Sequence, residues 1–73
     1  MERFLRYSRE HDRAIRLIVT MPDGRMRQVN AVVLAYNERE AQLYILRPPQ
    51  KVTIPLENIL SADYAKGDEG QGD

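Results

Sequence analysis

The sequence contains no cysteine among its 73 residues. Disulfide bonds, zinc–thiolate sites, iron–sulfur clusters and cysteine nucleophiles are therefore excluded. Small secreted domains usually need disulfide bonds for stability, so a chain without cysteine favours a reducing compartment. We expect a cytoplasmic protein.

Net charge is also absent, because eleven basic residues balance eleven acidic ones. The total therefore does not suggest a strongly basic nucleic-acid binder. No apolar run approaches the ~20 residues that span a bilayer. The first ten residues, MERFLRYSRE, carry charges where a signal peptide needs an apolar core. We expect no membrane partner.

Residues suited to catalysis are few. His11 is the only histidine, and a single histidine without spaced partners is a weak signal for acid–base chemistry or for a metal site. Asp23-Gly24 is typical of a turn and not of a phosphate loop, because no Gly-rich run or Lys-Ser/Thr pair follows it. We therefore expect no enzyme activity, no cofactor and no metal.

The clearest structural pattern is a long strand over Met26–Tyr36, MRQVNAVVLAY. In its first half, Met26, Gln28 and Asn30 face one way and Arg27, Val29 and Ala31 face the other. Residues 31–36 are apolar on both faces and leave open which face is buried. Shorter strands are predicted over residues 14–20, 41–47, 51–55 and 60–64. Pro48-Pro49-Gln50 is interpreted as a connection, because proline cannot pair within a central strand.

The remaining segments complete one small domain over residues 1–65. Aromatic and polar residues recur at spacings of three and four in residues 2–12, which predicts an N-terminal helix within residues 1–13. Residues 56–59 suit one turn of 3₁₀ helix. Residues 66–73, KGDEGQGD, are predicted to form a disordered acidic tail. The prediction is a mainly β protein, a small five-stranded antiparallel barrel of the SH3-like or Sm-like kind.

The order of these segments resembles that of Sm-like and SH3-like small barrels. The segments that carry the resemblance are residues 15–19, Asp23-Gly24-Arg25, residues 29–36, residues 43–46 and residues 52–59. Leu43-Tyr44-Ile45-Leu46 with residues 52–59 resembles the WYL-like regulatory barrels of bacterial transcription and defence proteins. The size and the Leu-Glu-Asn-Ile ending resemble the small YolD-like bacterial proteins. These resemblances imply a regulatory module accessory to a transcription or DNA-repair protein.

The charges are polarised along the chain. Seven of the eleven basic residues lie within the first 27 positions, against four acids, whereas residues 63–73 hold four acids and one lysine. Such a basic surface could follow phosphates, and the acidic C-terminus could shield it. The spacing of acids and arginines in residues 2–13 equally fits a helix surface whose charges pair with one another.

Two functional hypotheses follow. The leading one is a non-enzymatic binding or regulatory module that contacts nucleic acid, or a protein acting on it. The residues it predicts to bind nucleic acid are Arg6, Arg9, Arg13, Arg16, Arg27 and Tyr44. Tyr44 is included because it alternates away from Leu43 and Ile45 and could stack on a base. The alternative is a protein-interaction module without a nucleic-acid role. It would pair a partner strand, or a second copy of itself, with an exposed strand edge at residues 51–55 or 14–20.

Overall fold

The computed structural model describes residues 1–68, which form one helix, five strands and a 3₁₀ turn. The elements are α1 (Glu2–His11), β1 (Ile15–Thr20), β2 (Met26–Tyr36), β3 (Glu40–Leu46), β4 (Pro49–Pro55), the 3₁₀ turn (Leu56–Asn58) and β5 (Ile59–Tyr64). The predicted mainly β fold, with an N-terminal helix and a 3₁₀ turn before the last strand, is confirmed.

The five strands form a single antiparallel sheet in the order β4-β3-β2-β1-β5. Within residues 1–68 the sheet is open, because β4 pairs only with β3 and β5 pairs only with β1. The edge strands are nevertheless consecutive in the chain and are joined by the 3₁₀ turn alone.

The core lies on one face of this sheet. Alternate residues of β1 (Ile15, Leu17 and Val19) are buried, as period-two patterning predicts. Inward-facing residues of the other strands, including Leu43 and Ile54, complete the cluster. Fully burying each such side chain contributes about 2 kcal/mol to folding, so the alternating pattern determines which face turns inward.

A register shift in β2 resolves the ambiguity of residues 31–36. Ala31 and Val33 are buried, but the pairing with β3 shifts between Val33 and Ala35, and Leu34 is left exposed. A bulge of this kind reverses the alternation of side chains and bends the strand. Tyr36 consequently pairs with Ala41, a residue of the buried face.

Helix α1 packs on the core through Leu5, Tyr7 and Ser8, all of which are buried. The Ser8 hydroxyl accepts a hydrogen bond from the Val33 amide at 2.8 Å and donates one to the Arg13 carbonyl at 2.6 Å. Strand β1 pairs with β2 only as far as Ala31, so β1 provides no acceptor for the Val33 amide. The helix provides that acceptor instead.

The helix ends earlier than the predicted range of residues 1–13 allows. Asp12 adopts the left-handed conformation with φ of 54°, and its amide donates to the Ser8 carbonyl. This is a helix C-cap geometry, and it turns the chain toward β1. Arg13 therefore lies outside the helix.

The interpretation of Pro48-Pro49-Gln50 as a connection is wrong for two of its residues. Strand β4 begins at Pro49, and Leu46 pairs with Pro49 while Ile45 pairs with Gln50. The reason is that β4 is an edge strand, where a proline can direct its missing donor away from the sheet.

The predicted acidic tail falls partly on residues 69–73, which lie outside the described residues. Just before them, residues 65–68 form a turn in which the Asp68 amide donates to the Ala65 carbonyl. The Asp68 carboxylate accepts a hydrogen bond from the Tyr7 hydroxyl at 2.8 Å and lies 3.8 Å from an Arg13 nitrogen. The segment after β5 is thereby attached to the helix.

Candidate binding surfaces

Among residues 1–68, no strand pairs with the outer edge of β4, which is open along its length. Asn37 donates to the Glu40 carbonyl, so Glu40 directs its main chain toward β2 and Ala41 directs its own toward β4. The Leu56 amide donates to the Arg39 carbonyl at 2.8 Å. Arg39, two residues before Ala41, therefore directs its carbonyl to the same side as Ala41 does. It follows that Leu56, Ile54 and every second residue before them direct their main-chain N–H and C=O groups toward β3.

The other residues of β4 therefore turn their main chain to the open edge: Pro49, Lys51, Thr53 and Pro55. The two prolines carry no N–H, so the edge offers only two amide donors, those of Lys51 and Thr53. Prolines and a lysine on an edge limit uncontrolled pairing with other strands. The result is a short open edge with a proline at each end.

The edge of β5 is the second open edge. In the part of the chain that the structure describes, this strand pairs with β1 alone. The register shifts opposite Ile18 and Val19, so that Leu60 is left out of the pairing. Leu60 is 51% exposed. Because bulges interrupt the ladder and twist a strand, β5 is a less regular template than β4.

The sequence-based suggestion that residues 14–20 form an exposed edge is wrong. Strand β1 pairs with β2 on one side and with β5 on the other. The sequence did not reveal this, because β5 lies far downstream in the chain and its place beside β1 is a long-range choice. Residues 51–55, the other suggested edge, do lie on one.

Charges differ between the two ends of the β4 edge. Lys51 lies near its start and Arg47 in the turn before it. Glu40 lies opposite Pro55 at its end, and Glu57 follows in the 3₁₀ turn. All four side chains are exposed. Within residues 1–68, none of the four belongs to an ion pair.

The arginines predicted to bind nucleic acid are mostly paired with acids of this chain. Arg6 lies 3.7 Å from Glu2. Arg13 contacts Asp68, and Arg16 lies 3.2 Å from Asp63. Two of these acids belong to the C-terminal segment, the part of the chain predicted to shield the basic surface.

The six predicted site residues do not form one surface. Arg6 and Arg9 lie on α1, whereas Arg16 and Tyr44 lie on strands β1 and β3, separated by β2. Arg27 donates to the Arg47 carbonyl at 3.4 Å, near the β3–β4 turn.

Tyr44 faces outward, as its alternation predicted, and is 39% exposed. It lies opposite Val32 on β2 and opposite Lys51 on β4. A lysine next to an exposed ring is compatible with stacking, although Tyr44 lies apart from the helix arginines.

Tyr36 is the aromatic residue that the helix arginines approach. The Arg9 guanidinium lies 5.5 Å from the centre of the Tyr36 ring, and the Tyr36 hydroxyl donates to Glu2 at 3.0 Å. Burial, and then the hydrogen bond to the Glu2 carboxylate, raise the pKa of Tyr36. Sequence reasoning missed this cluster because only the packing of α1 on β2 brings its members together.

A surface depression of about 830 Å³ lies beside this cluster. It is lined by Met1, Glu2, Leu5, Tyr36, Asn37, Glu38, Arg39 and Leu56. The Glu2 carboxylate is already bound by Tyr36 and Arg6. His11 lies elsewhere, with its ring centre 5.0 Å from that of Tyr7.

Among residues 1–68, no three His, Cys, Asp or Glu side chains are grouped as a metal site would require. No helix in that part of the chain is long and apolar enough to cross a membrane.

Comparison of the chain with protein-family models, with curated proteins and with solved structures found no match.

Proposed function

We propose that this chain is a non-enzymatic binding module that receives an extended protein segment along the open edge of β4. The supporting observation is the direction of the main-chain groups of β4. The amides of Lys51 and Thr53, which lie between two prolines, point away from β3 and toward the open edge. Strand addition uses such groups for affinity and the flanking side chains for specificity.

The expected affinity is modest. An antiparallel partner could exchange about four main-chain hydrogen bonds with Lys51 and Thr53, each contributing roughly 0.5–1.5 kcal/mol net. Val52 and Leu56 are half-buried and pack against the core. Apolar side chains of an added strand would cover them further and increase the affinity.

The test compares Thr53→Pro with Thr53→Ala. Proline removes one of the two edge donors without removing a bond to β3, whereas alanine keeps that donor and serves as the matched control. Peptides selected from a random display library against the unmodified chain should bind the alanine variant and lose binding to the proline variant. Selected peptides that bind both variants equally, or a selection that yields none, would refute the proposal.

A second measurement distinguishes self-association through this edge from binding of a different protein. Light scattering on the 8.5 kDa chain without peptide gives its mass in solution. A multimer that Thr53→Pro dissociates would assign the edge to a second copy. If the chain is a monomer, the edge is available to a different protein.

We further infer that the sheet curves as a partly open barrel of the SH3-like or Sm-like kind. Bulges near Leu34 and Leu60 bend β2 and β5, and inward residues of all five strands share one core. The short 3₁₀ connection keeps β4 and β5 near each other. Distance measurements between spin labels on these two strands test the curvature: a flat sheet would place them four strand spacings apart.

Nucleic-acid binding is the second candidate, supported by the Arg6, Arg9 and Tyr36 cluster. Arginines beside an aromatic ring are a recurrent arrangement for single-stranded nucleic acid. The WYL-like and YolD-like resemblances also favour a role beside a transcription or DNA-repair protein.

Charge reversal at Arg6 and Arg9 tests this second candidate. Binding of a mixed-sequence oligonucleotide, followed by anisotropy across a salt series, should weaken and become less dependent on salt. Arg25→Glu is the control, because Arg25 is highly exposed in the β1–β2 turn, away from the cluster. Unchanged affinity would contradict the candidate. Comparing Tyr36→Ala with Tyr44→Ala distinguishes the two possible stacking rings.

A further inference from the structure

Exposed charges give the β4 edge a direction. Its start carries Arg47 and Lys51, and its end carries Glu40 and Glu57. Lys51 lies four residues before Pro55, the residue opposite Glu40, so the nearest of these positive and negative groups are separated by about 13 Å along the strand. That distance exceeds the Debye length of about 8 Å at physiological ionic strength, so each end acts on its own neighbours.

Nearby charges do not cancel this polarity. At the start of β4, Asp23 lines the same surface depression as Gln50, but it is paired with Arg25, and Arg27 adds a further positive charge there. At the other end, Arg39 lies between Glu38 and Glu40 in the β2–β3 turn. With Glu57 included, that end keeps an excess of two negative charges.

We propose that the β4 edge selects an extended protein segment of matching charge polarity. The partner has acidic residues where it passes Arg47 and Lys51, basic residues where it passes Glu40 and Glu57, and alternating apolar residues beside Val52. This inference rests on the strand-addition function proposed above and adds the chemistry of the partner.

Charge matching at such a position determines orientation and specificity more than affinity. Exposed ion pairs are individually weak and are screened by salt. The main-chain bonds at Lys51 and Thr53 pair with any extended segment, whereas the charges distinguish one segment from another. A partner with the wrong polarity would bring like charges together at both ends of the edge.

The test uses two synthetic peptides of identical composition, in which valine alternates with glutamate, threonine and lysine. In the polarised peptide the glutamates stand at one end and the lysines at the opposite end. In the mixed peptide glutamates and lysines are interspersed. At low salt the polarised peptide should bind about fivefold more tightly, and the difference should disappear at high salt. Lys51→Glu should reduce it.

A nitroxide on the acidic end of the polarised peptide reports its position. It should broaden the amide signals of Gln50 and Lys51. Broadening at Glu40 and Glu57 instead would overturn the inferred polarity, as would equal affinity for both peptides.

The Thr53→Pro variant separates the two proposals. If both peptides bind equally and Thr53→Pro abolishes binding of both, strand addition stands and the polarity is wrong. If neither peptide binds, or if Thr53→Pro has no effect on binding, strand addition itself is refuted.

Discussion

Replacing Ser8 by alanine should destabilise the fold more than its small volume suggests. Ser8 has no exposed surface, and its hydroxyl is the partner of the Val33 amide and of the Arg13 carbonyl. A helix, a strand and the loop between the helix and β1 therefore depend on one oxygen atom.

The magnitude follows from these contacts. Leaving the buried Val33 amide unsatisfied costs roughly 1–3 kcal/mol, and the bond to Arg13 contributes about 1 kcal/mol more. Alanine is a better helix former than serine and returns about 0.5 kcal/mol. We expect the free energy of unfolding to fall by about 1.5–3.5 kcal/mol, which lowers Tm by roughly 6 °C or more for a domain of this size.

Urea denaturation followed by circular dichroism measures this change. Ser61→Ala is the matched control, because Ser61 is exposed on β5, and its effect should stay within about 0.5 kcal/mol. Hydrogen exchange at the Val33 amide should accelerate in Ser8→Ala beyond the change in global stability. A Ser8→Ala protein as stable as the control would show that the hydroxyl does not hold the helix to β2.

Three further predictions concern other contacts. Tyr36 should titrate above the usual tyrosine pKa, and Glu2→Gln should lower the pKa of Tyr36. Because the folded-state pKa is raised, the stability that this shift contributes is complete below about pH 10 and is lost as pH rises through the folded-state pKa. An absorbance titration that shows no difference between the two proteins would contradict this. Gly24→Ala should reduce the free energy of unfolding in urea by about 1 kcal/mol, because Gly24 has φ of 88°. Space is not the obstacle, since among residues 1–68 no atom outside Gly24 and its two chain neighbours lies within 4 Å of the position that a Cβ would occupy. An unchanged midpoint would refute the prediction. Tyr7→Phe should cost about 1.5–3 kcal/mol by removing a hydrogen bond to the Asp68 carboxylate, and a smaller loss in an Asp68→Asn background would confirm that the two side chains act together.

Much of the fold was predictable from local patterns. Alternation identified β1, β2 and β3, and the Asp23-Gly24 pair identified the first turn, in which the Gly24 amide donates to the Met21 carbonyl. These features depend on neighbours along the chain, so a single sequence carries them. The start of β4 at Pro49 was not predictable in this way, because it requires knowing that the strand has an open side.

The candidate surfaces were less predictable than the fold. Tyr44 was correctly expected to face outward, since alternation alone decides it. The acids bound by Arg13 and Arg16 lie near the end of the chain, and no pattern in the sequence assigns one arginine to one acid. Tyr36 was overlooked because the bulge between Val33 and Ala35 changes the direction in which the end of β2 faces.

The order of neighbouring residues was enough to indicate that five strands, a helix and the first turn exist and that the charge is polarised, because each of these arises locally. Which strands are edges, and which main-chain donors stay unpaired, emerged only from the folded chain, because strand order depends on contacts between distant segments. The same contacts determine which arginines are neutralised within the chain. Together they place the candidate surface at β4, which the sequence predicted as a strand over residues 51–55 and as one of two possible edges, without showing which of the two is open.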